Sequence, residues 1–569
     1  MIGTLDLQTQ KIKNFFFPFD TQEIQEYIND YEEVIGHNLI AFDVPVLKRL
    51  VGLSFDSVHL LDTLLLSRLD DPSREGGHSL GAWGERLKFP KGDHNDWTKL
   101  SEEMIEYCEQ DLRVTYELLK HLEGKLEKFG TTSVELEHDV QRIISQQVEN
   151  GWLLNQQKAF ELLAKLKERK IQLEDEVHKV FIPLPTFVSD VVPKVTKSGK
   201  FSKTQIKFLG DNWVNVGGNL SRIDFPEFNL GSRKQIGEYL KHFGWKPKDF
   251  TEKGQPIVDE KVLEGVTDIP EAQMIAEFLL IQKRMAQVQS WIEAVKDDGR
   301  VHGQVNTIGA VTGRMTHSSP NVAQVPASKR DKKTGELIWG AKGKWGTDCR
   351  ACWTVPKETK LVGCDASGLE LRMLAHYMDD KDYTHEILNG DIHTANQKAA
   401  GLDSRDNAKT FIYAFLYGAG DAKIGSIVGG SAKAGRSLKE QFLSNTPALA
   451  DLRERVEHAC ARGYLRGLDG RKLIIRSPHA ALNTLLQSAG AIIMKKSLTI
   501  LDKYATMNNI SYRFVGNIHD EMQTEVPKDQ AEKFGWLAVE CIKAAGIEFN
   551  MRCPLDGEYK VGDTWAETH

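Results

Sequence analysis

Apolar and polar residues follow two rhythms along this chain, and the rhythm changes from region to region. Over residues 1–130 strand-like and helix-like stretches alternate. EEVIGHNLIAFDVPVLKRL predicts a buried strand, a turn and a helix. SEEMIEYCEQDLRVTYELLKHLEGKLEKF predicts a long amphipathic helix with Ser101 as N-cap and Glu103 in its first turn. From 131 to 180 the 3.6-residue period persists, which predicts a long helical pair broken at Gly151. The period then stops. Residues 181–228 are rich in Pro, Gly, Lys and β-branched residues, and are too long for an ordinary connection, so a functional insertion or mobile loop is expected. Helical signal returns in GSRKQIGEYLKHFGW and EAQMIAEFLLIQKRMAQVQSWIEAVK.

Beyond residue 301 the pattern becomes more specific. TKLVGCDASGLELRMLAHYM predicts a strand ending at Asp365, then a helix. SRDNAKTFIYAFLYG predicts a helix capped by Ser404 and stopped at Gly418. GLDGRKLIIRS contains an Asp-Gly hairpin turn, HAALNTLLQSAGAIIMKKSLTILDKYA is a long helix, and SYRFVGNIHDEMQTEVP is a hairpin. These elements give a mixed α/β and α+β chain of several domains.

Composition sharpens this only slightly. The 569 residues are 41% hydrophobic and 27% charged, enough apolar material for several cores. No run of 18 apolar residues appears and the N-terminus carries no signal-peptide pattern, so neither a membrane span nor secretion is expected. Of the seven cysteines only Cys349 and Cys352 have CxxC spacing. No second pair or nearby His completes a zinc finger, and a reducing, cytoplasmic setting fits best. The net charge of −7 conceals a basic stretch, residues 194–207, with five lysines and no acid.

The chemistry centres on acids. Asp520 and Glu521 are adjacent in the second hairpin, and two carboxylates about 4 Å apart repel by roughly 4 kcal/mol at an effective dielectric near 20. A cation offsets that repulsion. If the strand ending at Asp365 neighbours this hairpin, Asp365 and Asp520 can share two divalent ions about 3.5–4 Å apart, the clamp of an in-line phosphoryl transfer, with magnesium suited to carboxylates and phosphates. Taken singly, each acid reads equally well as a turn cap. Arg405, Lys409 and Tyr413 fall at i, i+4 and i+8 on one helix face near its N-terminus, a triphosphate grip with a ring for stacking. Phe415 and Tyr417 read equally well as core. Asn483 and Gln487, also four apart, are amides suited to minor-groove acceptors.

Together these residues resemble family A DNA polymerases, and in particular the replicative polymerases of T-odd short-tailed phages. VGCDASGLELRMLAH is similar to polymerase motif A, RDNAKTFIYAFLYGAG to motif B and IHDE to motif C. VTGRMTHSSPNVAQVP, NGDIHTANQ, GLDGRK, SPHAALNTLLQSAGA and the terminal WAETH match the phage branch. His479 stands where cellular members usually have Arg. The resemblance implies a right-hand polymerase of palm, fingers and thumb, with an N-terminal RNase H-like 3′–5′ exonuclease-type domain lacking its first strand. The boundaries it implies are 1–130 exonuclease-like, 131–300 thumb, 301–376 palm, 377–478 fingers and 479–569 palm again. It implies that Asp365, Asp520 and the Ala366 carbonyl hold two Mg2+ ions and that Glu521 supports the site near the primer end. Arg405, Lys409 and His393 would contact the triphosphate, Tyr413 would stack on the nucleotide, and Glu370 would crowd the sugar 2′ position. Arg314, Gln487 and His519 would face the minor groove at the primer terminus, with Tyr417 and Gly418 by the templating base.

HNLIAFD resembles exonuclease motif II, with Asn38 and Asp43, and YCEQD resembles motif III, with Tyr107 and Asp111. The acidic pair of motif I is missing, with Asp6 and Gln8 in LDLQ a poor substitute, so weak or absent proofreading is expected. Residues 181–228 occupy the thumb position where some phage relatives bind host thioredoxin, and their lysines also suit duplex phosphates. Primer–template DNA and dNTPs, with a phage helicase-primase and a single-stranded DNA-binding protein, are the further partners the resemblance implies, in the cytoplasm of an infected bacterium. The rival readings are a single-subunit RNA polymerase, against which Glu370 and Glu521 speak, and an inactive primer–template-binding protein, against which Asp365, Asp520, Arg405 and Lys409 speak.

Overall fold

The strand expected to end at Asp365 forms as Thr359–Ala366 and lies inside a four-stranded antiparallel sheet. The strand order is Arg513–Ile518, Glu521–Pro527, Thr359–Ala366, Gly557–Gly562. Leu361 to Cys364 are buried in succession rather than alternately. Helix Ala531–Glu548 packs on this strand and the chain's last residues lie against it, so both faces of the strand exclude water. The computed structural model describes residues 1–569. They divide into a larger unit, Met1–Asn155 with Ala294–Trp339 and Gly346–His569, and a smaller one, Gln156–Glu293 with Gly340–Trp345.

In the larger unit one core cluster joins the sheet to the helices that bear the site. Val362 and Cys364 from the sheet, Phe411 and Phe415 from helix Arg405–Leu416, and Leu485 and Ile492 from helix Pro478–Met507 all belong to it. Phe415 is therefore core, whereas Tyr417 is exposed. Each such side chain contributes about 1.5–3 kcal/mol by leaving water, so the site's elements are held by burial rather than by their polar groups.

The N-terminal part forms the expected alternation. Glu33–Gly36 pairs in parallel with His59–Asp62, and Ile2–Leu5 pairs with Ile12–Phe15 in a separate antiparallel hairpin. Ser101 caps helix Glu102–Leu126 by accepting from the Met104 N–H at 3.2 Å. The break at Gly151 is more than a kink. After helix Thr132–Asn150, Gly151 takes a positive φ of 61°, and Trp152–Leu154 runs as a strand between Trp353–Thr354 and Arg300–Val301 before helix Gln156–Val180 begins. Trp152, Trp353 and Trp565 cluster there, with centroids 5.4 and 4.7 Å from Trp152. Burying those rings is what draws three residues out of the helical pattern. Helix Thr132–Asn150 thus groups with the sheet-bearing unit.

In the smaller unit residues 181–228 carry the hairpin Thr186–Val191 with Leu220–Asp224, and short 3-10 turns over Lys207–Asn215. The β-branched residues that broke the helical period supply its strands. Its two ends meet: Phe181 and Phe228, both buried, stack with centroids 4.6 Å apart. Phe187, Val192, Val195, Ile223 and Phe225 are exposed. No helix is long and apolar enough to cross a membrane.

Candidate active site

Sheet register brings the acids together. Asp365 sits opposite Glu521, and the Ala366 N–H donates to the Asp520 carbonyl at 3.2 Å. Strands Arg513–Ile518 and Glu521–Pro527 close through the two residues His519 and Asp520, with His519 at φ 56°. A tight two-residue hairpin needs such backbone, and it lifts Asp520 off the strand end. Asp520 and Glu521, adjacent in sequence, consequently meet different fates.

Glu521 points inward and is buried. It accepts from Trp565 Nε1 at 2.7 Å and pairs with His569 Nδ1 at 2.7 Å; Gln523 also donates to it, and Arg350 Nη1 lies 3.9 Å away. Burial works against its charge, but the His569 hydrogen bond and charge, with Arg350 and Gln523, hold the carboxyl below its usual range. The repulsion expected at the acid pair is thus met on the Glu521 side by protein cations.

Asp365 and Asp520 are compensated less fully, and burial outweighs the cations near them. Surrounding protein, then Glu521 and Asp520, pushes the Asp365 carboxyl up to about 6 even though the residue is exposed at the end of its strand. Burial raises Asp520 too, against the pull of Arg314 and His519. Asp520 Oδ1 is buried without a hydrogen-bond partner, and Arg314 Nη2 stands 3.8 Å from it. Nowhere do three or more His, Cys, Asp or Glu side chains gather as a complete metal-binding group. Two carboxylates with strained ionisation, an orphaned oxygen and the nearby Ala366 carbonyl form a partial oxygen donor set. That fits hard divalent cations whose remaining ligands come from phosphates and water. The CxxC cysteines are buried, and Cys352 Sγ donates to the Asp348 carbonyl at 3.3 Å.

The cationic face forms as the helical spacing predicts. Ser404 caps helix Arg405–Leu416, accepting from the Asn407 N–H at 3.1 Å. Arg405 and Lys409 are exposed on it, and the Tyr413 ring lies 6.3 Å from that of His393. Burial, then the charges of Arg405 and Lys409, lowers the His393 pKa. Burial raises the Tyr413 phenol, with further contributions from Glu370 and Asp520, so this face and the acids see one another. Gly418 ends the helix region at φ 74°, and a Cβ there would stand 2.6 Å from the His479 carbonyl. Only glycine fits. Asn483 and Gln487 are half-buried on helix Pro478–Met507, among buried neighbours.

Several working contacts escaped the sequence reading. Asp391 caps helix Ile392–Ala400, accepting from the His393 N–H at 3.1 Å, and also grips Arg405 with both oxygens, at 2.6 and 3.1 Å. An Asp immediately before a helix, as in NGDIHT, is a capping signal that would have found it. Tyr417 donates its hydroxyl to Glu370 at 3.0 Å, and Arg314 lies 3.7 Å from the same carboxylate. Glu370 is thereby fixed from two sides.

The N-terminal acids do not meet in this way. Burial and then Asp62, which the sequence reading passed over, push Asp43 up to about 6. Asn38, at φ 64°, donates its N–H to Asp62 Oδ1 at 2.8 Å. Asp111 instead pairs with Lys91 Nζ at 2.9 Å, and the same ammonium lies 4.8 Å from the Tyr107 ring centroid.

With this geometry in hand, comparison with known proteins is specific. Residues 203–567 match the model of DNA polymerase family A. The DNA-directed DNA polymerases of Enterobacteria phage T3 and Escherichia phage T7 are each 36% identical over 94% of this chain and 92% of their own length. The polymerase domain of Pol1 from M. smegmatis, solved with DNA primer-template and dNTP, shares the fold with a TM-score of 0.72 and 18% identity, over 91% of this chain and 84% of that one. The family match over more than half the chain, and the phage relatives over nearly all of it, establish that the chain belongs to DNA polymerase family A.

Proposed function

We propose that this family A DNA polymerase adds dNTPs to a primer 3′-hydroxyl under template direction, at Asp365 and Asp520 with two magnesium ions, in phage DNA replication. The observation that carries the reading is the register placing the two aspartates at one sheet end, with the Ala366 N–H bonded to the Asp520 carbonyl. When bound, the two ions would make the hydroxyl more acidic and offset charge on the leaving phosphate. Asp365, Asp520 and the Ala366 carbonyl would hold them. Arg405, Lys409 and His393 bind the triphosphate, and Asp391 orients two of these groups. Tyr413 stacks on the nucleotide, and Glu370, fixed by Tyr417, excludes a 2′-hydroxyl. Arg314, Asn483, Gln487 and His519 face the minor groove, and Tyr417 with Gly418 borders the templating base. Glu521 keeps the turn in place from beneath. In domain terms, palm is 301–376 with 479–569, fingers 377–478 and thumb 131–300.

Two finer readings accompany this. Proofreading is weak or absent, supported by the Lys91 ammonium that occupies Asp111 at 2.9 Å. The exposed apolar residues of 181–228 serve a processivity factor such as host thioredoxin, supported by the buried base that closes the segment.

The deciding experiment is primer extension with magnesium, comparing dNTPs with rNTPs and the wild type with Asp520→Ala. Loss of extension with retained primer–template binding is expected. Wild-type extension by Asp520→Ala, or preference for rNTPs, overturns the reading. Processivity with and without thioredoxin, and cleavage of a single-stranded 3′ end, test the finer points in the same assay.

A further inference from the structure

Four charged side chains are buried together, and one of them, Lys495, lines the cavity that Arg314, His519 and Glu521 also line. Glu137 lies on helix Thr132–Asn150, Asp469 and Arg471 in the turn between strands Tyr464–Arg466 and Lys472–Ile474, and Lys495 on helix Pro478–Met507. Arg471 reaches Asp469 Oδ2 at 2.6 Å and Glu137 Oε1 at 2.6 Å, and Lys495 Nζ meets the same Glu137 oxygen at 2.5 Å. Two negative and two positive charges balance. Such a cluster is a poor way to gain stability, since desolvating the charges costs about what their attraction returns, and apolar residues of the same volume hold helices together as well or better. Its use lies in what it fixes.

What it fixes is the loop 307–314, which carries Arg314. Lys495 donates to the Thr307 carbonyl at 2.8 Å, and the Thr307 hydroxyl donates to Gln141 Oε1 at 3.0 Å. These bonds anchor the loop's entry. At its exit Gly313 adopts φ 76°, and a Cβ there would stand 2.7 Å from Arg471 Nη1, so the guanidinium abuts the loop backbone. Between the two anchors the loop closes on itself: Gly309 and Ala310 both donate to the Arg314 carbonyl at 3.2 Å. Arg314 itself then stands beside Glu370 and Asp520.

We propose that Lys495 and Arg471 are positioning residues for Arg314: with Glu137 and Asp469 they clamp the loop 307–314 and set where its guanidinium meets the primer terminus. This rests on the minor-groove reading of Arg314 given above. A loop free to shift would leave the Arg314 fork off the acceptor it must meet, and a misplacement of about 1 Å at a reacting centre costs on the order of 100-fold in rate.

The test is single-turnover extension of two primers, one ending in guanine and one in 3-deazaguanine, which lacks the N3 acceptor in the minor groove. Wild type should slow by about tenfold on the deaza primer, the scale of one charge-assisted hydrogen bond. Lys495→Met should slow by about tenfold on the ordinary primer and no further on the deaza primer, because its Arg314 contact is already lost. Gln141→Leu, which keeps every charge and removes the Thr307 anchor along with a bond to Ser145 within its own helix, should show the same pattern in smaller degree, and it covers the case in which Lys495→Met fails to fold. If wild type extends both primers equally, the role of Arg314 falls and this inference with it. If wild type is slowed while the folded variants stay as sensitive to 3-deazaguanine as wild type, Arg314 keeps its role and the clamp is refuted.

Discussion

The sheet end at Asp365 and the N-terminal region both carry aspartates at motif positions whose carboxyls burial pushes up, but the partners around them differ. Asp365 and Asp520 share one sheet end, Asp520 adds to the upward push on Asp365, and Asp520 keeps a buried oxygen without a hydrogen-bond partner while Arg314 stands 3.8 Å away. Asp111 is matched by Lys91, and the acid that presses on Asp43 is the buried Asp62. Acidic residues alone therefore do not make a cation site. Register must bring them to one place. Glu521 gives the same lesson within the sheet: it is strand neighbour to Asp365, yet His569, Trp565 and Arg350 have taken it for the structure.

The sharpest way to break this contrast is paired substitution. Asp365→Asn should lower single-turnover extension by about 10³-fold, as loss of a main electrostatic contact does. Asp111→Asn should leave it within about twofold, as a change away from the reacting centre does. Equal losses would erase the distinction between the two sets of acids. Next in size, Glu521→Ala should destabilise the chain by about 3–5 kcal/mol, because it strands Arg350 in a buried site; urea unfolding measures this.

Asp391→Asn should raise the KM for dNTP by about fivefold with kcat little changed, the upper end for an exposed ion pair. Steady-state kinetics at saturating primer–template would show it. Titration gives a smaller effect. Folded Asp365 keeps its proton up to about pH 6, whereas its ordinary value is 3.8. Its contribution to stability therefore falls as pH rises from 3.8 to about 6, the reverse of an ion-paired carboxylate. Without metal, Asp365→Asn should melt about 2 °C higher than wild type at pH 7.5, and the gap should close below pH 4. The smallest effect sharpens the other side. Lys91→Met should leave primer extension unchanged while exposing Asp111, so that terbium luminescence reports new metal affinity in the N-terminal domain alone.

Local periodicity carried much of this architecture. The strand ending at Asp365, the helix that aligns Arg405, Lys409 and Tyr413, and the hairpin at His519 and Asp520 were all legible, because each rests on patterns within about ten residues. Contacts between distant segments were not. Nothing in IHDE announces that Glu521 will meet His569 or Arg350, and nothing near Asp111 distinguishes a metal ligand from a partner of Lys91. Within 181–228 the lost helical period was visible, but the hairpin and the Phe181–Phe228 stack depend on residues nearly fifty apart and left no local signature. The Asp-Gly of GLDGRK signalled a turn, while the buried pairing of its Asp469 and Arg471 depends on Glu137, far upstream.

The seam between residues 1–130 and the rest of the larger unit bears on how this enzyme can be cut. Ile308 is packed into the same apolar cluster as Leu118, Leu122 and Trp83, His138 accepts from the Asp62 backbone, and Lys472 reaches Asp70. A minimal polymerase made by deleting the first 130 residues would bare greasy surface and lose these tethers together. Whatever chemistry residues 1–130 carry, they cover core surface of the larger unit, and trimming for expression should spare them.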